Sequence, residues 1–204
     1  MSNIDFLDKL IAQFEKLPGV GRKTATRYAY YVVEKLSNDE IKEFAETIVS
    51  TKENICYCKK CGMMTDSDIC SICDNVFKNK HKVLVVKDTK DALAIEKTNQ
   101  FNGVYHVLGG LISPLDGVSP SNLNIDLLEK RVESGVIKEL IIATPFTPTG
   151  ETTAIFLEKI FSNVKNLEIS RIGYGLPAGG DIEYVDELTL TKAIENRNIR
   201  KREN

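Results

Sequence analysis

The stretch Cys58-Lys59-Lys60-Cys61 and, eight residues later, Cys70-Ser71-Ile72-Cys73 divides the chain. Two Cys-x-x-Cys pairs across a short loop have the spacing of a tetrahedral thiolate site, each pair turning two sulfurs towards one point. Four thiolates around one Zn²⁺ close the coordination sphere, so such a site is structural and its metal contributes directly to folding. Gly62 follows the first pair, where the turn requires positive φ. The alternatives are two disulfides or four unrelated thiols. The chain has 5 cysteines, an odd count, and Met1 to Asp5 show no basic stretch leading into an apolar one. Export and disulfides are therefore not expected. The spacing predicts one structural zinc ion held by Cys58, Cys61, Cys70 and Cys73. Cys56 falls outside the pattern and is expected to be a small buried hydrophobe.

The sequence before this knuckle reads as helical, and the sequence after it as α/β. At 204 residues the chain is long enough for one medium domain or two small ones, and its 42% hydrophobic content can fill a core. No apolar run approaches the length of a membrane span. A free-thiol metal site without an export signal suits the cytoplasm. The formal net charge of −2 means that any nucleic-acid binding must rest on a local patch.

Residues 3–17 place Ile4, Leu7, Leu10, Ile11, Phe14 and Leu17 at helical spacing, and Pro18 ends the helix. A second helical pattern carries Ala25, Ala29, Val32, Val33 and Leu36. Ser37 and Glu40 form a capping-box signal for a third helix, with Ile41, Phe44, Ala45, Ile48 and Val49 on one face. Between the first two helices lies Leu17-Pro18-Gly19-Val20-Gly21-Arg22-Lys23-Thr24-Ala25. Two glycines let a phosphate approach the backbone, and the free N–H groups opening the second helix point at an anion. From Lys16 to Arg27 there are four basic residues and no acidic one. Gly19, Gly21, Arg22, Lys23 and Arg27 are the candidate DNA contacts, sequence-tolerant and salt-sensitive because phosphates carry no base code. An ordinary packing hairpin with solvated charges is the alternative. Gly21-Arg22-Lys23-Thr24 is not a P-loop, since the required spacing and the preceding strand are missing.

After the cysteines the period changes. Val83–Val86, Val104–Leu108, Leu140–Ala143 and Leu167–Ile172 read as strands. Residues 89–99, Asn124–Glu133 and Gly150–Phe161 read as the helices between them. This alternation predicts a parallel sheet with right-handed crossovers. His81 and His106 have no ligand-like neighbours and are expected to be structural or solvated. Gly173 to Asp181 is a glycine-rich loop, a weak nucleotide signal whose alternative is a plain connector. Ile182 to Val185 predicts a strand ending in Asp186 and Glu187, which resembles a Walker B sequence; without a Walker A partner it assembles no hydrolytic site. Leu188 to Ile199 predicts a helix, and Arg200-Lys201-Arg202 a frayed basic end.

Taken in order, these segments resemble the RecR family of bacterial recombination mediators over nearly the whole chain. Leu17 to Lys23 is similar to its helix-hairpin-helix, and the four cysteines with Thr65-Asp66 to its zinc finger. Tyr105 to Gly117 is similar to a signature in its Toprim domain, the module shared with topoisomerases and primases. Arg171 to Leu190 resembles its C-terminal Walker B-like segment. The resemblance implies an α/β protein with a helix-hairpin-helix domain at 1–54, a zinc finger at 55–77, a Toprim-like domain at 78–176 and a Walker B-like segment with C-terminal helix at 177–204. It also implies homo-oligomers, dimers or ring-like tetramers that clamp DNA. With RecO and RecF, the family helps load RecA onto single strands coated by single-strand-binding protein. No enzymatic activity is implied.

Two departures from the family pattern bear on function. The first Toprim strand usually ends in an acid, and here it ends in Lys87, with Asp88 on the opposite face. The segment Pro145 to Glu151 carries Thr149 where the family usually has an acid. Leu140 to Thr149 holds no acid at all, whereas an enzymatic Toprim needs clustered acids for Mg²⁺. Asp88, Asp116 and Glu151 remain. The expectation is a non-catalytic DNA-binding mediator; the alternative is a Toprim-type nuclease or primase-like enzyme.

Overall fold

A computed structural model describes residues 4–173, 175–176 and 178–197. The chain forms two compact units, divided between Ile55 and Cys56. The Arg200-Lys201-Arg202 end lies outside the described residues.

The first unit is a helical hairpin and one further helix. Helix α1 (Asp5–Phe14) opens with Asp5 and Asp8, whose negative charge suits a helix N-terminus. Helix α2 (Arg22–Lys35) packs on it through Ala25 and Ala29, which are small enough to bring the axes close. Leu7 and Ile11 fill the contact from the α1 side, with Leu10, Phe14 and Val20 at its rim. Phe14 meets Tyr28 edge-on at 5.8 Å. Helix α3 (Asn38–Asn54) has the expected capping box between Ser37 and Glu40. No residue of α3 is buried, and Phe44, Ile48 and Val49 on its apolar face are about half exposed.

The second unit begins with the knuckle. A two-rung antiparallel hairpin, β1 (Cys56–Tyr57) and β2 (Met64–Thr65), is followed by one turn of helix, α4 (Ser71–Asp74). Then come β3 (Asn79–Val86), α5 (Thr89–Glu96), β4 (Gly103–Val107), α6 (Ile125–Glu133), β5 (Glu139–Ala143), α7 (Pro148–Phe161) and β6 (Glu168–Arg171). The four long-range strands are all parallel, in the order β4-β3-β5-β6. Val83–Val86 are fully covered, as a central parallel strand requires. Leu128, Leu140, Ile142 and Leu157 are also fully buried, each worth about 1.5–3 kcal/mol of removal from water. The chain crosses from β3 to β4 on one side and to β5 on the other. The crevice outside the carboxyl ends of β3 and β5 is therefore the switch point where such sheets take ligands.

The expected strand at Ile182–Val185 is a single 3-10 turn, Ile182–Tyr184, with both end residues exposed. Extended backbone needs a neighbour, and β6 pairs only with β5 among the described residues. Asp186 has a different duty from the one its sequence suggested. It caps helix α8 (Glu187–Glu195) by accepting from the Thr189 N–H at 2.9 Å. That backbone hydrogen bond, with a second from the Thr189 hydroxyl, holds its carboxyl below the usual range.

Candidate nucleic-acid interface and metal centre

The hairpin turn between α1 and α2 leaves its backbone open. Gly19 has φ +78°, which only glycine adopts without strain, and the turn closes through Val20 N–H donating to Leu17 O at 3.1 Å. Gly21 has ordinary φ, and a Cβ at either glycine would meet nothing within 4 Å. The turn surface is therefore open to an incoming ligand. No side chain caps the start of α2, so its first N–H groups remain available to an anion.

The three cations of this surface are not equivalent. Arg22 is drawn back onto α1, donating to Glu15 at 3.0 Å and to Asp8 at 3.4 Å. Lys23 is exposed and makes no ion pair among the described residues. Arg27 is exposed one turn further on, with its guanidinium 5.6 Å from the Tyr28 ring.

The knuckle brings the four predicted cysteines together. Their Sγ atoms all lie within 4.8 Å of one another, and Cys61 and Cys70 are 3.6 Å apart. A zinc ion with Zn–S of about 2.3 Å in tetrahedral geometry spaces its sulfurs by about 3.8 Å, so the donor set fits. All four residues are buried. Backbone N–H groups already serve the sulfurs: Cys70 N–H donates to Cys58 Sγ at 3.3 Å and Cys73 N–H to Cys70 Sγ at 3.4 Å. Gly62 takes the expected positive φ, +73°. A Cβ there would also come within 2.7 Å of Val107 O, because the turn lies directly on β4. Hydrogen bonding to Cys70, then to Cys73, and burial push the Cys61 thiol up, whereas hydrogen bonds from Cys61 and Cys73 hold Cys70 down. A bound cation ends that unequal sharing, since a coordinating thiol gives up its proton. Cys56 corrects an expectation. It is exposed on β1, with its thiol 3.4 Å from Ser67 O, because both residues of that short strand face solvent.

The acids left at the Toprim switch point do not gather. Among the described residues the four cysteines form the sole group of three or more close metal-type ligands, so Asp88, Asp116 and Glu151 do not converge. Asp88 caps α5, accepting from Lys90 and Asp91 N–H at 2.9 and 3.1 Å. Asp116 accepts from the Ser113 hydroxyl. Glu151 accepts from Arg171 Nη1 at 2.6 Å.

Comparison with known proteins matches the parts in this order: RecR helix-hairpin-helix at residues 7–51, RecR four-cysteine zinc finger domain at 55–75, Toprim domain at 81–173 and RecR C-terminal at 175–198. A protein named Recombination protein RecR from Ligilactobacillus salivarius is 44% identical over 192 residues, covering 94% of this chain and 96% of its own. The chain belongs to the RecR family. A second protein of that name, from Lactococcus lactis subsp. cremoris, is 43% identical over 189 residues, covering 93% of this chain and 94% of its own. This RecR-family chain thus carries a four-cysteine zinc finger fit for one ion, joined to a Toprim fold.

Sequence reasoning missed the roles of Arg171 and Arg131, while His106, expected to be structural or solvated, is structural. Arg171 ends β6, where no periodicity marks it. His106 is buried in β4 with Nε2 2.9 Å from Asn124 O. Arg131 occupies the apolar side of α6 between Leu128 and Val132, and a lone charge at that spacing was the available signal.

Proposed function

We propose that this RecR-family chain is a non-catalytic DNA-binding mediator of recombination and repair, acting in the cytoplasm with RecO and RecF to help load RecA on single-stranded DNA. The observation that carries this reading is the uncapped α2 start beside the exposed Lys23 and Arg27. Gly19, Gly21, Arg22, Lys23 and Arg27 form the proposed DNA contact, with Arg22 the weakest because two carboxylates already hold it. The working division is 1–54 for DNA contact, 55–77 for zinc, 78–176 for the Toprim body and 177–204 for the C-terminal segment. Homo-oligomer formation, as a dimer or ring tetramer, is supported by the apolar surface of the first unit. There Phe14, Leu17, Tyr28, Tyr31, Leu36 and Phe44 line an open cavity of about 360 Å³.

The engagement of Asp88, Asp116 and Glu151 in structural bonds favours the non-catalytic reading over a Toprim nuclease or primase-like enzyme. The test is fluorescence anisotropy of labelled single-stranded and duplex DNA over a salt series, run beside a Mg²⁺-dependent cleavage and primer assay. Salt-sensitive binding without product is expected. Cleavage that needs both Mg²⁺ and Glu151 would replace the mediator with an enzyme.

A further inference from the structure

The knuckle is fastened to the edge of the α/β sheet. Strand β4 is an edge strand, and its outward groups need partners. Val107 N–H donates to Cys61 O at 2.7 Å, and Val107 O accepts from Asn124 Nδ2 at 2.9 Å. Two residues back along the same edge, Tyr105 O accepts from Arg131 Nη1 at 2.9 Å. Successive outward positions on a strand are about 6.6 Å apart, so the guanidinium is placed one such step from the Cys61 turn. Arg131 and Cys73 also line one cavity of about 320 Å³.

A zinc ion with four thiolates carries a net charge of −2, and these thiolates are buried. Buried charge is costly unless compensated. Arg131 has the converse difficulty. It makes no ion pair with a carboxylate among the described residues, and its side-chain neighbour at 3.2 Å is the Nδ1 lone pair of His106. His106 is held neutral, pushed down to about 3 by burial and then by the Arg131 charge, and so supplies no anion. Of the knuckle's own lysines, Lys59 pairs with Asp68 and Lys60 is exposed to solvent at the rim of that cavity, while Lys80 of β3 is committed to the carbonyls of Ile72, Cys73 and Asn75.

We propose that Arg131 is the counter-charge of the zinc thiolate centre, held in place by the sheet rather than by the knuckle. Burial lowers the basicity of its guanidinium, and the charges of Cys73, Cys61, Cys58 and Cys70 act in the opposite sense. The arrangement couples metal loading to the Toprim body. With zinc bound, the half-buried guanidinium and the buried thiolate centre compensate each other. Without zinc, the half-buried Arg131 loses that compensation.

The test is the zinc dissociation constant of the full chain, by competition with a chromophoric chelator. Wild type, Arg131→Gln and Arg131→Lys are compared. Gln keeps a donor for Tyr105 O without the charge, and Lys keeps the charge without the fork. Arg131→Gln is expected to weaken zinc about tenfold or more, the usual effect of losing an outer-shell partner, while Arg131→Lys stays close to wild type. Unchanged affinity in Arg131→Gln, or equal weakening in both variants, overturns the proposal. If Arg131→Gln does not fold, Arg131→Lys decides alone: retained affinity supports the counter-charge, and a tenfold loss overturns it.

Discussion

Arg171 at the end of β6 donates to Glu151 in the first turn of α7 at 2.6 Å, and its guanidinium lies 5.2 Å from the Phe146 ring. Its Nε and Nη2 are buried without partners, so the bond to Glu151 is its hydrogen bond among the described residues. The pair is half sheltered, with side-chain exposures of 21% for Arg171 and 39% for Glu151. An internal cation therefore engages the one acid that remains in this segment. Glu151→Gln should lower stability by about 1–3 kcal/mol, the range for hydrogen bonds to charged groups, and leave DNA affinity unchanged. Urea unfolding and anisotropy check the two halves; DNA affinity lost in a folded variant would return Glu151 to a functional role.

Gly150 sits in the first turn of α7, where a Cβ would lie 1.9 Å from Pro145 O. The carbonyl belongs to the chain leaving β5 and has no room to retreat, since Thr144 also donates to Gly150 O at 2.9 Å. Gly150→Ala should cost about 3 kcal/mol or more, at the upper end of overpacking effects. Gly19→Ala should cost about 1–2 kcal/mol, from positive φ alone. Thermal unfolding of both variants checks the order.

Periodicity read the four parallel strands and the helices between them, because burial on both faces leaves continuous apolar runs such as Val83–Val86. Spacing read the zinc knuckle, because the ligands are local in sequence. Ile182 to Val185 misled, since an apolar run specifies a strand only where a neighbouring edge is available. Arg131 with Tyr105, and Arg171 with Glu151, join residues 26 and 20 positions apart, and such pairings leave no local trace. The apolar face of α3 is legible as a face, but its pattern reports an apolar side, not what covers it, and none of its residues is buried.

Cys70→Ser should release zinc and destabilise the chain. Its sulfur is one of the four that fit the ion and also accepts the Cys73 N–H in the first turn of α4, and all four cysteines belong to the same apolar core as the sheet. Cys56→Ser should keep one zinc per chain, since Cys56 is exposed on β1. Metal analysis of both purified variants decides; zinc lost without Cys56 would move the site.

His106 gives stability a pH dependence of known sign. Its folded value is pushed down to about 3, chiefly by burial, against about 6.5 when unfolded. The unfolded chain therefore binds an extra proton below pH ~6.5, and the stability tied to neutral His106 falls as pH drops from there towards 3, by at most about 1.4 kcal/mol per pH unit. His106→Asn should flatten this slope between pH 7 and 5.5 in urea unfolding at saturating zinc. An unchanged slope would assign the acid sensitivity to other groups.

DNA affinity should depend on Lys23 and Arg27 in equal measure across sequences. Both are exposed on α2, four residues apart and so on one face, beside N–H groups that no side chain caps. Each cation should neutralise about one phosphate, so Lys23→Glu or Arg27→Glu should weaken every DNA tested and reduce the salt slope by about one unit. Arg22→Gln should have the smaller effect, because Glu15 and Asp8 already share that charge. Anisotropy across a salt series separates these outcomes. Wild-type affinity and slope in both charge reversals would place the DNA surface elsewhere, whereas a weakening confined to particular sequences would mean base contacts that the hairpin, open to backbone phosphate, does not supply.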